Sequence, residues 1–184
     1  MELADADEHQ YHGTFPCRLP VWWARVGEIG PHSDQNGITG KKIVLRIEKR
    51  FTRFERLLAK LLRAPKEVRR PLDSMNSMLW ELADGTRTFQ DICAAMDEVF
   101  HEDIAPVVVR TAAGIDALIS RNLMTCLGET FTQKWNIGPG QIPHQQKLGE
   151  VDEKMGYDIE ARTKFEAKFI EAITLDPQQD VQSE

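Results

Sequence analysis

Glu8, His9, His12 and Cys17 stand close together near the start of the chain. Two histidines three apart can meet on one helical turn with a thiolate or carboxylate beside them, the donor types that hold zinc. The residues around them carry no periodic pattern that would fix such a turn, so a metal site is not expected there. Asp97, Glu98, His101, Glu102 and Asp103 form a second cluster, of the types used for general acid–base work. Nothing nearby forms an apolar pocket to shift their pKa values, and a solvated helix end accounts for them better. Asp84 precedes Gly85 and reads as turn chemistry. Cys17, Cys93 and Cys126 are widely spaced and odd in number, which suits buried thiols rather than a disulfide framework or a zinc knuckle. Phosphate-loop and nucleophile-elbow patterns are missing as well. These residues point to binding: catalytic residues, metal ligands and a cofactor are not expected.

Composition bounds the setting in which binding would occur. A chain of 184 residues holds one domain with extensions. With 41% hydrophobic and 28% charged residues it belongs with soluble globular chains, and no run approaches the roughly 18–20 apolar residues needed to cross a bilayer. The opening MELADADEHQ is acidic where a secretory signal is basic and then apolar, which makes a cytoplasmic location the expectation. The net charge of −6 hides an asymmetry: residues 41–70 hold twelve lysines and arginines against three acids, so that the rest of the chain carries −15. Such a field steers an anionic partner toward residues 41–70, a peripheral anionic surface among the candidates.

The elements that must position any binding surface follow from hydrophobic periodicity. Residues 1–20 lack a period and read as a flexible N-terminal segment. VWWARVGEIG (Val21–Gly30) and KKIVLRIEK (Lys41–Lys49) read as strands of one hairpin, the second half-buried with Ile43, Leu45 and Ile47 on one face and Val44, Arg46 and Glu48 on the other. Over 52–63 the period changes: Phe54, Leu57, Leu58, Leu61 and Leu62 form an apolar stripe among arginines and a lysine, an amphipathic basic helix capped by Thr52. EVRRPL (Glu67–Leu72) reads as an extended segment whose proline confines it to a sheet edge or strand end.

Three helical stretches follow. Met75, Met78, Leu79 and Leu82 mark the first, with Asp73 or Ser74 as its cap. Phe89, Ile92, Cys93, Met96 and Phe100 mark the second, opened by Thr88 with Asp91 in a capping-box arrangement. The third carries Ile104, Val108, Ala112, Ile115, Ile119 and Leu123, with Pro106 in its first turn. Trp22, Trp23, Trp80 and Trp135 read as packing residues. Residues 128–184 have no sustained period and form an extended arm, with one more helix over 158–174 bearing Phe165, Phe169, Ile170 and Ile173 on a face. Strands followed by three helices, with a tight helix-turn-helix at 83–88, define an α+β class of small winged-helix-like architecture over 21–127.

The stretch from Val68 to Met124 also resembles the PqqD-like family, the peptide-recognition domains of pathways that modify ribosomally made peptides. The resemblance rests on Leu72-Asp73, on LWELADGTRT (Leu79–Thr88), on Phe89, Ile92 and Phe100, and on the closing LISRNLM, and it spans roughly Ile43 to Leu127. It implies a non-enzymatic adaptor: a precursor or leader peptide adds as a strand beside the third strand, against the third helix. The domain then presents it to a separate modifying enzyme, often a radical enzyme with an iron–sulfur cluster. Carried onto this chain, the strand is Glu67–Leu72, with Val68, Arg69 and Arg70 at its centre. The physics of strand addition agrees, since unpaired edge groups supply affinity and alternate side-chain pockets supply selectivity.

Helical spacing supplies the opposite wall. With Val108, Ala112, Ile115 and Ile119 toward the core, Val107, Arg110, Gly114, Ala117 and Arg121 form the adjoining stripe. Gly114 and Ala117 leave room for a backbone, while Arg110 and Arg121 are placed to pair with carboxylates, so the expected ligand is an acidic or amphipathic segment. The competing class is a winged-helix regulatory or structural protein that contacts nucleic acid. Its groove-entering helix would hold only Arg110 and Arg121 beside Asp116, and the helix pair before it is acidic.

Overall fold

Short β-rich runs bounded by glycine and proline become strands, and where each strand pairs decides which edges stay open. In a computed structural model that describes residues 5–30, 37–49 and 66–167, β1 (Phe15–Arg18), β2 (Trp22–Val26), β3 (Lys42–Glu48), β4 (Glu67–Pro71) and β5 (Met124–Leu127) form two small antiparallel sheets. One sheet has the order β2-β3-β4, with Trp23 opposite Leu45 and Leu45 opposite Arg70; the other pairs β1 with β5. The described residues also contain four α-helices: α1 (Asp5–Glu8), α2 (Ser74–Leu82), α3 (Phe89–Phe100) and α4 (Val107–Ile119). None is long and apolar enough to cross a membrane. The fold is therefore of the mixed α+β class.

The helices begin where local chemistry supplies acceptors for their first N–H groups. Asp73 caps α2 by accepting from the Asn76 backbone N–H at 2.7 Å, and Thr88 and Asp91 close a reciprocal capping box on α3. Pro106 stands just before α4, whose start falls at Val107 because His101–Ile104 forms a separate 3-10 turn. Between α2 and α3, Asp84 accepts from the Thr86 backbone N–H at 2.9 Å and pairs with Arg87 at 3.1 Å, which fixes the turn. Gly85 follows at φ +79°, and a Cβ there would meet the Phe131 Cβ at 2.5 Å, so both its backbone angle and its packing demand glycine. The apolar faces of α2, α3 and α4 close on Trp23, Ile43 and Leu45 in one core. Each fully buried large side chain in it, Phe89 and Ile115 among them, contributes about 1.5–3 kcal/mol.

The N-terminal segment departs from expectation. Residues 5–20 are built into the fold: β1 pairs with β5 from Phe15↔Leu127 to Arg18↔Met124, and the Phe89 N–H donates to the Thr14 carbonyl at 2.9 Å. Phe15, Cys17 and the proline between them mask the alternation by which strands are recognised. The His9 ring stacks on Phe89 at 5.1 Å, and the Cys17 thiol is buried and pushed up to about 12 by loss of solvent. Among the described residues no group of three or more His, Cys, Asp or Glu side chains could hold a metal.

The C-terminal arm departs further. Between Gly128 and Ala167 it folds back along β2 instead of leading away. Its Gly140 N–H donates to the Trp23 carbonyl at 2.8 Å, and Asp158 exchanges both backbone hydrogen bonds with Arg25. Tyr157 packs edge-on against Trp22 and the Gly149 carbonyl accepts from Arg46, so β3 is buried on both faces: Val44 and Arg46 are 9% and 1% exposed where a half-buried strand was expected. Residues 158–167 form a bridge and a turn rather than the start of a helix. The rest of the expected 158–174 helix, like the basic helix over 52–63, lies outside the described residues.

A buried ionic cluster holds the end of the described arm. The buried Glu166 carboxylate accepts from Arg18 at 3.2 Å and from Arg25 at 2.9 Å, while Arg25 also donates to Glu81 at 2.7 Å. Glu81 in turn accepts from the Thr39 and Gly40 backbone N–H groups, and the two guanidiniums stack on Trp23 at 4.9 and 4.7 Å. Two arginines and two glutamates balance in charge, while the buried Arg18 Nε and Nη1 have no hydrogen-bond partner among the described residues. Burial alone would raise the Glu166 carboxyl, but Arg18 and Arg25 outweigh it and hold it below the usual carboxylate range.

Candidate functional site: a strand edge and the cleft beside α4

The two outer edges of the β2-β3-β4 sheet are not equivalent. On β2 the outward Trp23 carbonyl accepts from the Gly140 N–H of the arm, and both outward backbone groups of Arg25 are taken by Asp158. On β4 the ladder parity is set by Leu72 N–H donating to the Ile43 carbonyl and Lys49 N–H donating to the Lys66 carbonyl. Antiparallel pairs alternate, so Arg70 with Leu45 and Val68 with Ile47 exchange hydrogen bonds inside the sheet. Glu67 and Arg69 therefore turn their backbone N–H and C=O outward, where the described residues offer no partner, and Pro71 turns out only a carbonyl. Proline at that register costs the sheet nothing, as suits an edge.

Side chains on β4 alternate between two surroundings. Arg70 shares a face with Leu45 and looks across a cleft of about 400 Å³ toward the last turn of α4. Leu45, Leu118 and Leu123 form its apolar floor, with Leu72, Asn76, Ala117 and Arg121 around them, and its lining contains arginines but no carboxylate. Arg69 contributes backbone to this rim, while its side chain pairs with Glu67 at 3.2 Å beside Met155 on the arm-covered face. Burial works to raise the Glu67 carboxyl, but hydrogen bonds from Arg46 and Arg69 hold it down and keep it ionised. Among the described residues, Arg70 is the cation of this strand without an ion-pair partner.

The structure thus brings Arg69, Arg70, Ala117 and Arg121 together and sets the other expected residues apart. Val68 bonds inward to Ile47 and is half-buried. Val107 is fully buried, a core residue rather than a cleft wall, because the apolar face of α4 runs through Val107, Thr111 and Leu118 as well as Val108, Ala112 and Ile115. Gly114 does leave room, but for Leu79: a Cβ there would lie 2.8 Å from its Cδ2, so this glycine serves the packing of α4 on α2. Arg110 is exposed on the first half of α4, outside the cleft. Arg121 donates to the Ala117 carbonyl, which anchors its head at the rim.

Past Arg121 and Leu123 the cleft opens into a wider groove of about 1000 Å³, at the upper end of the usual range for ligand sites. Its floor is Val21 and Ile47, and its far wall is the arm, from Lys134 to Asn136 and from Gln141 to Gln146. Sequence reasoning missed this wall, since an aperiodic stretch gives no sign of where it docks; its glutamine content was the one visible signal. The buried position of Arg46 also shows that part of the cationic excess over residues 41–70 supports the fold instead of facing a partner. Comparison with protein-family models, with curated proteins and with solved structures finds no match to this chain.

Proposed function

We propose that the chain is a non-enzymatic adaptor with a winged-helix-like core that binds a precursor or leader peptide by strand addition to β4 and presents it to a separate modifying enzyme. The observation that carries this reading is the outward backbone of Glu67 and Arg69 beside a cleft whose charged side chains, Arg70 and Arg121, are both cationic. An added strand gains main-chain hydrogen bonds from the edge and places alternate side chains in the cleft, where an acidic residue meets two guanidiniums.

The test is titration of the isotope-labelled full chain with a short precursor peptide encoded beside its gene. Amide shifts centred on Arg69, Arg70, Ala117 and Arg121, and their loss in Arg69→Pro, are expected. Shifts confined to the α1–α3 surface, or binding untouched by Arg69→Pro, would refute strand addition at β4.

A further inference from the structure

Several hydrogen-bonding side chains that line the groove built by the arm have no protein partner among the described residues. Among the described residues, the side chains of Lys134, Gln141 and Gln145 have no protein partner, and all three face the same groove. A glutamine amide donates and accepts side by side, the same complement that a peptide backbone presents. A row of them suits an extended chain whose own N–H and C=O groups need partners.

Its electrostatics point the same way. Arg121 and Lys134 stand on the lining against one carboxylate, Glu48, which already accepts from the Lys147 backbone N–H at 3.1 Å. The groove and the β4 cleft share Arg121 and Leu123, so a chain lying along the strand edge continues from one into the other without leaving the surface.

We propose that the groove between the end of α4 and residues 134–146 is the second half of the peptide site, taking a polar, acidic stretch that continues the segment paired to β4. This rests on the reading of β4 as the peptide edge. It adds a specificity rule: a carboxylate at the Arg70–Arg121 boundary, then side chains rich in hydroxyl, amide or carboxylate groups on the glutamine wall. The arm thereby becomes a recognition element as well as a cover for β2.

The experiment is selection of a displayed random 12-residue peptide library on the full chain, with the dominant peptide resynthesised for titration. Enrichment of Asp or Glu at one position, followed by Asn, Gln, Ser, Thr or acids over the next few, is expected. Replacing Arg121 by Glu should weaken that peptide about tenfold or more, as loss of a charge-assisted hydrogen bond does, and Gln141→Ala with Gln145→Ala roughly two- to tenfold. Neither glutamine side chain has a partner among the described residues, so matching unfolding curves are expected.

Binding lost in Arg69→Pro but unchanged in the double glutamine variant would overturn the groove while leaving the β4 reading intact. Binding sensitive to the glutamines but not to Arg69→Pro would remove the β4 reading and, with it, the continuous site. Binding of the selected peptide that tightens about tenfold or more on deletion of residues 168–184 would assign the groove to the chain's own end and overturn a separate peptide as its occupant. Failure to select any peptide would overturn both.

Discussion

Arg25 and Glu166 lie 141 positions apart in the chain and 2.9 Å apart in the fold, both withdrawn from solvent. Through this pair the arm is fastened to β2, and through Arg25 to Glu81 on α2 as well. Strand, helix and arm therefore share one charge-balanced knot, stacked on Trp23.

Removing one partner of a buried pair leaves the other charge uncompensated, which costs about 3–5 kcal/mol. Glu166→Ala strands Arg18 and half-strands Arg25, so a destabilisation of about that size is expected in urea unfolding. Limited proteolysis should then cut first between residues 128 and 167. A change below about 1 kcal/mol would mean that the arm is held by its apolar contacts through Phe131 and Ile137 instead.

The same region sets the acid limb of stability. Burial works to raise the Asp158 carboxyl, but hydrogen bonds from Lys41, the Glu160 backbone and Arg162 bring it down from 3.8 to about 2. A group depressed in the folded state contributes stability that is complete above its unfolded pKa and fades as pH falls through the folded one. Asp158 therefore adds a loss of stability between about pH 4 and pH 2, with Glu166 shifted in the same direction. Unfolding free energies measured from pH 6 to pH 2 should fall less steeply in Asp158→Asn than in the parent; parallel slopes would remove Asp158 from this role.

How much of this was legible beforehand depended on how local the signal was. Asp73, Thr88 with Asp91, and Asp84-Gly85 act within three or four residues of themselves, so caps and turn could be read directly. The edge strand was legible from Pro71 and the charges around it, and half of the candidate site residues, Arg69, Arg70, Ala117 and Arg121, line the one cleft. Val107 and Gly114 were misplaced because a stripe of spacing 3.6 can be rotated by one residue without losing its apolar positions, and only Leu79 packing on Gly114 settles the angle. The arm was illegible because its docking is made by single groups, Gly140, Tyr157, Asp158 and Glu166, whose partners lie more than a hundred positions away. Arg46, expected on the outer face of a half-buried strand, is buried for the same reason, beneath Gly149 of the arm.

Gly138 reports on the arm's internal packing. Its φ is unremarkable, yet a Cβ there would sit 2.0 Å from the Glu166 carbonyl oxygen, an overlap that no rotamer change relieves. Gly138→Ala must push the 166 turn away and lengthen the Arg18 and Arg25 contacts. A loss of about 1–3 kcal/mol is expected, typical of overpacking. In combination with Glu166→Ala the loss should be much less than additive, because both act on one contact. Full additivity in that double-mutant cycle would show that the glycine serves something else.

Adjacent prolines on β4 separate the two directions in which its backbone points. The Val68 N–H lies in the ladder with Ile47, so Val68→Pro deletes a sheet hydrogen bond and leaves the Ile47 carbonyl short of a donor, at about 1–3 kcal/mol. The Arg69 N–H points away from β3, and its side chain gives up only an exposed pair with Glu67, worth about 0–1 kcal/mol. Arg69→Pro should therefore melt within a few degrees of the parent while Val68→Pro melts well below it. Melting curves in the reverse order would shift the β4 register by one residue, turn Arg70 out of the cleft, and place the open edge groups on Val68 and Arg70 instead.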